Sequence, residues 1–366
     1  MHSFTSSFER SPVEMPWSRI LGIAVAVFLL FALGMEVRLA QIGVVANARD
    51  SQEKWEEERA RANQLGEKAL ILIGASRIQL GVDLDILRTI TGMEPVQLAI
   101  DGSTPMPVLA GLATDPEIRG TVIVDYYSHA IGDYGGLGKK YQAGFESHGA
   151  ATRHRQASPY RQSEKFLTEW AQERMASYTD GASPLNSLLF RILDDDGARS
   201  LVTTRPDRSR LGDYTLVKMP EYYHRRVART LGINLSSFNE NTEASLAKQV
   251  SMTSQIDNAA FINDAARIRQ LVSAIEARGG RVLFLEMPSS GMVRQVEEKR
   301  FPPEKFWKPF IDITGAKAVR SFDHPLLRDF SCPDGSHLDF RDRRKFTIAM
   351  AQALGLQRPG KAPLSP

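Results

Sequence analysis

Apolar positions in this chain fall into distinct patterns, each predicting a different kind of element. The first is unbroken. From Ile20 to Leu33 no residue is charged or strongly polar. Extended through Gly34 and Met35, with Trp17 at its front edge, the run reaches the lower end of the ~17–25 residues that a membrane-spanning helix requires. A helical pattern continuing through Val37, Leu39 and Ile42 favours an uncleaved anchor within residues 1–45. Ala32-Leu33-Gly34 also offers the small-residue site of a cleaved signal peptide, which is the rival reading. Arg10 and Arg19 are offset by Glu9 and Glu14, so the positive-inside rule gives only slight support for a cytoplasmic amino terminus. Residues 46–68 are charged and helix-favouring with Trp55 as the lone aromatic group, the pattern of a solvated helical stalk.

Short apolar runs then alternate with helical periodicity. Leu70–Ile73, Val96–Ile100, Thr121–Tyr126 and Arg281–Leu285 read as strands buried on both faces, and Ala318–Phe322 as a shorter fifth. Between them, Asp85–Thr91 and Pro105–Ala113 read as helices, the second opening on prolines that suit a first turn. Asp264–Arg278 places Ala265, Ile268, Leu271, Val272 and Ile275 on one face and stops at Gly279-Gly280. Arg341–Leu354 closes the pattern with Phe346, Met350 and Leu354 toward the sheet. This alternation predicts an α/β domain with a parallel sheet, built from residues 69–130 and 263–356. Residues 131–262 break it: strand-like runs vanish, and helical patches occur only around Glu164–Tyr178 and Pro184–Leu193. The segment is too long for a loop and predicts a largely helical inserted subdomain or lid. The Pro-rich tail, 357–366, predicts disorder.

Composition narrows the function. A chain of 366 residues with 42% hydrophobic and 24% charged residues is ordinary globular material. Its 46 basic against 43 acidic residues leave a net charge of +3, which gives no case for nucleic-acid binding. The single cysteine, Cys332, excludes an internal disulfide framework and a cysteine-rich metal site.

Two short motifs carry the candidate chemistry. The first strand runs directly into Gly74-Ala75-Ser76-Arg77, which presents a serine at the carboxyl edge of a strand. Near the other end, Asp334-Gly335-Ser336-His337 offers a base and an orienting carboxylate on one loop. A serine hydroxyl is almost never ionised at neutral pH, so an imidazole must take its proton during attack, and a carboxylate must hold that imidazole in the right tautomer. All strand ends of a parallel sheet lie on one edge, which makes a meeting of Ser76, His337 and Asp334 natural. The rival reading is a helix N-cap at Ser76 and an ordinary surface pair at Asp334 and His337.

The order and spacing of these motifs resemble the SGNH, or GDSL-type, family of esterases and acyltransferases. The resemblance covers roughly residues 68–130 and 264–356. It implies a three-layer α/β/α fold with a flavodoxin-like parallel sheet, catalytic Ser76, His337 and Asp334, and no cofactor or metal. Ile100-Asp101-Gly102-Ser103 matches the family's second block, which implies an oxyanion hole from the backbone N–H groups of Ser76 and Gly102. The third block departs: Asp125-Tyr126-Tyr127-Ser128-His129 stands where the family carries Gly-x-Asn-Asp, leaving the third oxyanion donor unassigned. The Gly-x-Ser-Arg variant and the amino-terminal apolar segment are similar to the membrane-tethered branch, which includes alginate acetylation proteins and the D-alanyl transfer protein of teichoic acid synthesis. That implies a single-pass protein of the inner membrane with its domain in the periplasm. Its expected function is transfer or hydrolysis of O-acyl groups on an envelope or exported polysaccharide, and other envelope polysaccharide-biosynthesis proteins are its expected partners.

Arg77 is a candidate for an anionic substrate group or a buttress of the turn, Tyr127 for the missing donor or a substrate contact, and Ser289 for the acceptor side. Three alternatives stand beside this reading. Cys332 with His337 is a possible thiol nucleophile. Asp323, His324, Asp334 and His337 are a possible metal cluster, without any HxH or HExxH spacing to support it. A non-catalytic assembly subunit that kept the fold is the third, and the departure in the third block favours it.

Overall fold

The computed structural model describes residues 16–131, 159–178, 199–233 and 243–358. The helical patch expected at Pro184–Leu193 and residues 359–366 of the tail lie outside these. Strands β1 (Ala69–Ile73), β2 (Glu94–Gln97), β3 (Thr121–Tyr126), β6 (Arg281–Glu286) and β7 (Lys317–Arg320) form one sheet, while β4 (Val202–Thr204) and β5 (Arg210–Gly212) form a separate hairpin. The described helices are α1 (Trp17–Gln41), α2 (Gln52–Leu65), α3 (Ser76–Gly81), α4 (Leu84–Thr91), α5 (Met106–Thr114), α6 (Ser128–Ile131), α7 (Pro159–Arg174), α8 (Glu221–Leu231), α9 (Glu243–Ser251), α10 (Ala259–Glu276), α11 (Gly291–Arg300), α12 (Trp307–Thr314) and α13 (Arg343–Ala353).

The sheet order is β2-β1-β3-β6-β7 and every pairing in it is parallel. Alternation along the strands explains the layers on either side. Ile71, Ile73, Val122, Val124, Val282 and Phe284 face one core, covered by α5, α10 and α12. Leu70, Leu72, Ile123, Leu283 and Leu285 face the other, covered by α3, α4 and α13. Burial on both faces is what produced the continuous apolar runs in the sequence. From β1 the chain goes to β2 on one side and then back to β3 on the other, so the winding reverses between β1 and β3 and a crevice opens beside the end of β1.

Three expectations are corrected. The segment 46–68 is not a solvated stalk: Ala62 is buried in the first core, Trp55 Nε1 donates to the Leu98 carbonyl at 3.0 Å, and Arg59 pairs with Asp115 at 2.6 Å. Trp55, Ala62 and Leu65 suffice to seat a helix most of whose other positions are charged or polar. The insertion is not free of strands, since residues 202–212 form the β4–β5 hairpin. Nor is its described part separate from the α/β domain. Val227 and Ala228 of α8 and Leu246 and Val250 of α9 share a third core with Met292, Val293 and Val296 of α11.

Arg208, in the hairpin turn, ties these parts together. Its side chain is 2% exposed; it donates to Asp50 Oδ1 at 2.7 Å and to the carbonyls of Gln97 and Ala99 at the end of β2. Helix α1 is the one described helix long and apolar enough to cross a membrane, and its apolar side chains from Trp17 to Val37 are largely exposed.

Candidate functional site: a Ser-His-Asp constellation in a basic cleft

Ser76 sits where β1 ends and α3 begins. The turn depends on Gly74, whose φ is +154°. A Cβ there would lie 2.4 Å from Asp125 Cβ and 3.1 Å from Ile78 Cγ2, so no larger residue fits between the neighbouring strand end and the helix. Ser76 is the first residue of α3, and its N–H therefore has no partner in the helix.

The loop after β7 brings in the other two groups. Gly335, with φ +88°, turns the chain against Val293, which a Cβ would approach to 2.5 Å. The backbone N–H groups of Ser336 and His337 then both donate to Asp334 Oδ1, at 2.9 and 2.8 Å. His337 Nδ1–H donates to Asp334 Oδ2 at 2.8 Å, and the Ser76 hydroxyl meets His337 Nε2 at 2.8 Å. The three residues expected from the two motifs are thus in one hydrogen-bonded line across 261 positions of sequence.

Electrostatics suit this line to base chemistry. Burial pushes the His337 imidazolium down, Asp334 pulls it up, and Arg226 and Arg77 push it down again; the net is below the ordinary histidine value. The imidazole is therefore neutral at pH 7 and free to accept a proton. Burial raises Asp334, but His337, Arg226 and the Ser336 N–H outweigh it and hold the carboxylate ionised, well below its usual range.

Two groups on Asp334 come from the insertion. Arg226 of α8 places Nη2 3.1 Å from Asp334 Oδ2, and the Tyr214 hydroxyl donates to the same oxygen at 3.4 Å. Tyr223 holds α8 in position by accepting the Met292 N–H at 2.6 Å. Sequence reasoning missed both residues, because neither lies in a motif and their partner is more than a hundred positions away. Arg210 of β5 was missed too; it pairs with Asp101 at 2.5 Å beside Gly102.

Ser76, His337, Gly102, Arg77 and Tyr127 all line one cleft of about 1280 Å³, whose wall also carries Arg210, Arg226, Arg229, Arg267 and Arg300. Arg77 pairs with Glu297 and lies over the Tyr127 ring at 5.6 Å. Burial opposes its charge, but Glu297 and Asp125 more than compensate and keep it fully cationic. Its charge is thus matched by Glu297 beside the turn. Tyr127 offers the cleft its ring, since its hydroxyl donates to the Ser103 carbonyl at 2.7 Å. Ser289 does not reach the cleft. It is 3% exposed and its hydroxyl donates to Glu297 Oε2 at 2.6 Å, which makes it a support for the Arg77–Glu297 pair and corrects its expected place on the acceptor side.

The rival chemistries find different surroundings. Cys332 is buried, its Sγ lies 3.2 Å from the Pro288 carbonyl, and burial together with Asp334 pushes its thiol far up, away from thiolate character. Among the described residues no group of three or more His, Cys, Asp or Glu is arranged to hold a metal ion. His324 Nδ1 accepts the Leu326 N–H, and Asp323 pairs with Arg320. Compared with known proteins, the sequence matches no family model and no curated protein.

Proposed function

We propose that this protein is a membrane-anchored, SGNH-type serine acyltransferase or esterase, with α1 in the inner membrane and the α/β domain in the periplasm. Its substrate class is an O-acylated polysaccharide of the envelope or an exported one. The observation that carries the reading is the continuous Ser76–His337–Asp334 hydrogen-bond line opening into a cleft. A cleft of about 1280 Å³ exceeds the usual 300–1,000 Å³ of small-molecule sites, which suits a polymer.

In this mechanism Ser76 Oγ attacks the acyl carbonyl while His337 Nε2 takes its proton, and Asp334 stabilises the imidazolium. The N–H groups of Ser76 and Gly102 receive the negative charge that develops on the carbonyl oxygen. Collapse breaks the bond to the leaving oxygen, which takes the proton from His337 and departs, leaving acyl-Ser76. Water or a sugar hydroxyl then gives its proton to His337 and attacks the acyl carbon; the second collapse regenerates Ser76 and releases acid or acylated sugar. Hydrolysis and transfer differ only in the acceptor.

A fluorophosphonate probe is expected to label Ser76 in the full-length protein and to lose all labelling in Ser76→Ala. Labelling that survives this change overturns the assignment. With a chromogenic acetyl ester, hydrolysis stimulated by oligosaccharide, with acetylated sugar seen by mass spectrometry, marks a transferase; rapid hydrolysis indifferent to acceptor marks an esterase. One observation favours a non-catalytic assembly subunit. Where the family carries its third donor, the Tyr127 hydroxyl is engaged by Ser103 and Asp125 is buried beneath the turn. Absence of labelling and of turnover decides for it.

A further inference from the structure

Helix α7 has two unlike sides. Gln172 is buried, Glu173 pairs with Lys54 at 3.0 Å, and Lys165 pairs with Glu57, so this side rests on α2. Tyr160, Phe166, Leu167 and Trp170 are 75%, 66%, 61% and 45% exposed. At 3.6 residues per turn these four fall within an arc of about 120° on the side away from α2.

What lies beyond the carboxyl end of α7 places that face. The backbone N–H groups of Ala176 and Ser177 donate to the carboxylate of Glu36 in α1, at 2.9 and 3.0 Å, and Ala176 packs with Leu39 and Val44. Glu36 is the first charged residue after the apolar run of α1. The junction is therefore fixed at the level where α1 turns from apolar to polar. Trp170 lies four positions before the end of α7 at Arg174, about 6 Å along the helix, and Ala176 follows two residues later. We infer that α7 lies on the bilayer surface, with Tyr160, Phe166, Leu167 and Trp170 in the headgroup region of the membrane that α1 crosses.

The inference rests on the reading of α1 as a membrane span. Its occupant is lipid because the segment that follows the aromatic face is tied to α1 where the apolar run ends, and because Trp and Tyr favour the membrane–water boundary. Acidic and basic residues balance along α7, so its attachment is apolar and does not require anionic lipid. Two attachments, one through the bilayer and one along it, fix the tilt of the domain over the surface.

The test uses the full-length protein in phosphatidylcholine nanodiscs, with buried Cys332 replaced by alanine and a nitroxide placed singly at Phe166→Cys or Leu167→Cys. Phe28→Cys serves as the reference within the span and Glu117→Cys as the reference in water. Collisional accessibility to oxygen and to a water-soluble nickel chelate is read by EPR. The expected oxygen-to-nickel ratio at 166 and 167 is several-fold above that of 117, below that of 28, and unchanged when phosphatidylglycerol is added. A ratio equal to that of 117, with 28 shielded, overturns the inference and leaves the span intact. Shielding of 166 and 167 from both reagents means that protein covers the face: dipolar broadening between labels identifies a second copy, and its absence the preceding segment 132–158. Either result overturns the inference. Nickel access at 28 overturns the span and the inference with it.

Discussion

The candidate site is held from two sides by different means. On the sheet side, Ser76 and His337 are placed by backbone: a glycine that lets β1 turn against Asp125, a second that turns the loop against Val293, and two N–H groups that grip Asp334. On the insertion side, Tyr214 and Arg226 reach the same carboxylate only through the ends of their side chains. Backbone placement tolerates no substitution without movement of the chain, whereas side-chain contacts adjust charge and are individually replaceable. The sheet side therefore sets where the atoms are, and the insertion sets how they titrate.

The comparison breaks most sharply at Gly74. Gly74→Ala is expected to cost about 3 kcal/mol or more, from the contact with Asp125 and the positive φ, and to depress probe labelling of Ser76 at least ~100-fold. Denaturant unfolding and labelling rates measure the two effects, and a fully active Gly74→Ala would refute backbone placement.

Asp125 tests the same side by pH. Burial lifts its carboxyl to about 7, against the pull of Arg77. The folded protein thus keeps a proton that the unfolded chain releases near the ordinary aspartate value, so this group's contribution to stability is present below about 4 and is lost as pH rises through about 7. Asp125→Asn removes that loss. It is expected to raise the unfolding free energy by roughly 3–4 kcal/mol at pH 8 and to change it little at pH 4. Equal effects at both pH values would mean that the carboxyl stays ionised throughout.

On the insertion side, Arg226→Met removes a positive charge that disfavours the His337 imidazolium. The His337 pKa rises, and because the neutral imidazole is the base, the acid limb of kcat/KM moves to higher pH, by about one unit. Arg226→Lys is expected to restore most of the shift. A limb that stays in place in Arg226→Met, with activity otherwise intact, would separate the insertion from the titration of the site. Tyr214→Phe should have the smallest effect. Its hydrogen bond is long at 3.4 Å, and its loss is expected to cost less than about 1 kcal/mol and to lower kcat/KM by less than about fivefold.

The same division explains what the sequence disclosed. Strands β1, β3 and β6 were legible because burial on both faces leaves an unbroken apolar run, and Ser76 and the Asp334–His337 pair because their spacing is local. Helix α2 was misread: its seat depends on Trp55, Ala62 and Leu65, too little apolar surface to register against many charges. Ser289 looked available because it follows β6, yet a carboxylate eight positions on, Glu297, claims its hydroxyl. Arg226 and Tyr214 left no trace because a contact made by one side-chain tip with a distant loop imposes no periodicity on its own element.

The Arg208 contact bears on how substrate reaches Ser76. Lifting the β4–β5 hairpin away from the sheet would strip a buried guanidinium of Asp50 and of two carbonyls at the end of β2. Hydrogen bonds to charged groups contribute about 1.5–3 kcal/mol each, so losing this set leaves the lifted form a minor species. A substrate that required that form would bind correspondingly more weakly and on average wait for a rare opening. A substrate of the proposed polysaccharide class that slides in along the arginine-lined cleft avoids that penalty. If the proposed polysaccharide is the substrate, the hairpin is a fixed wall past which it threads, and the rate of loading depends on how its end or loop finds the groove rather than on motion of the hairpin.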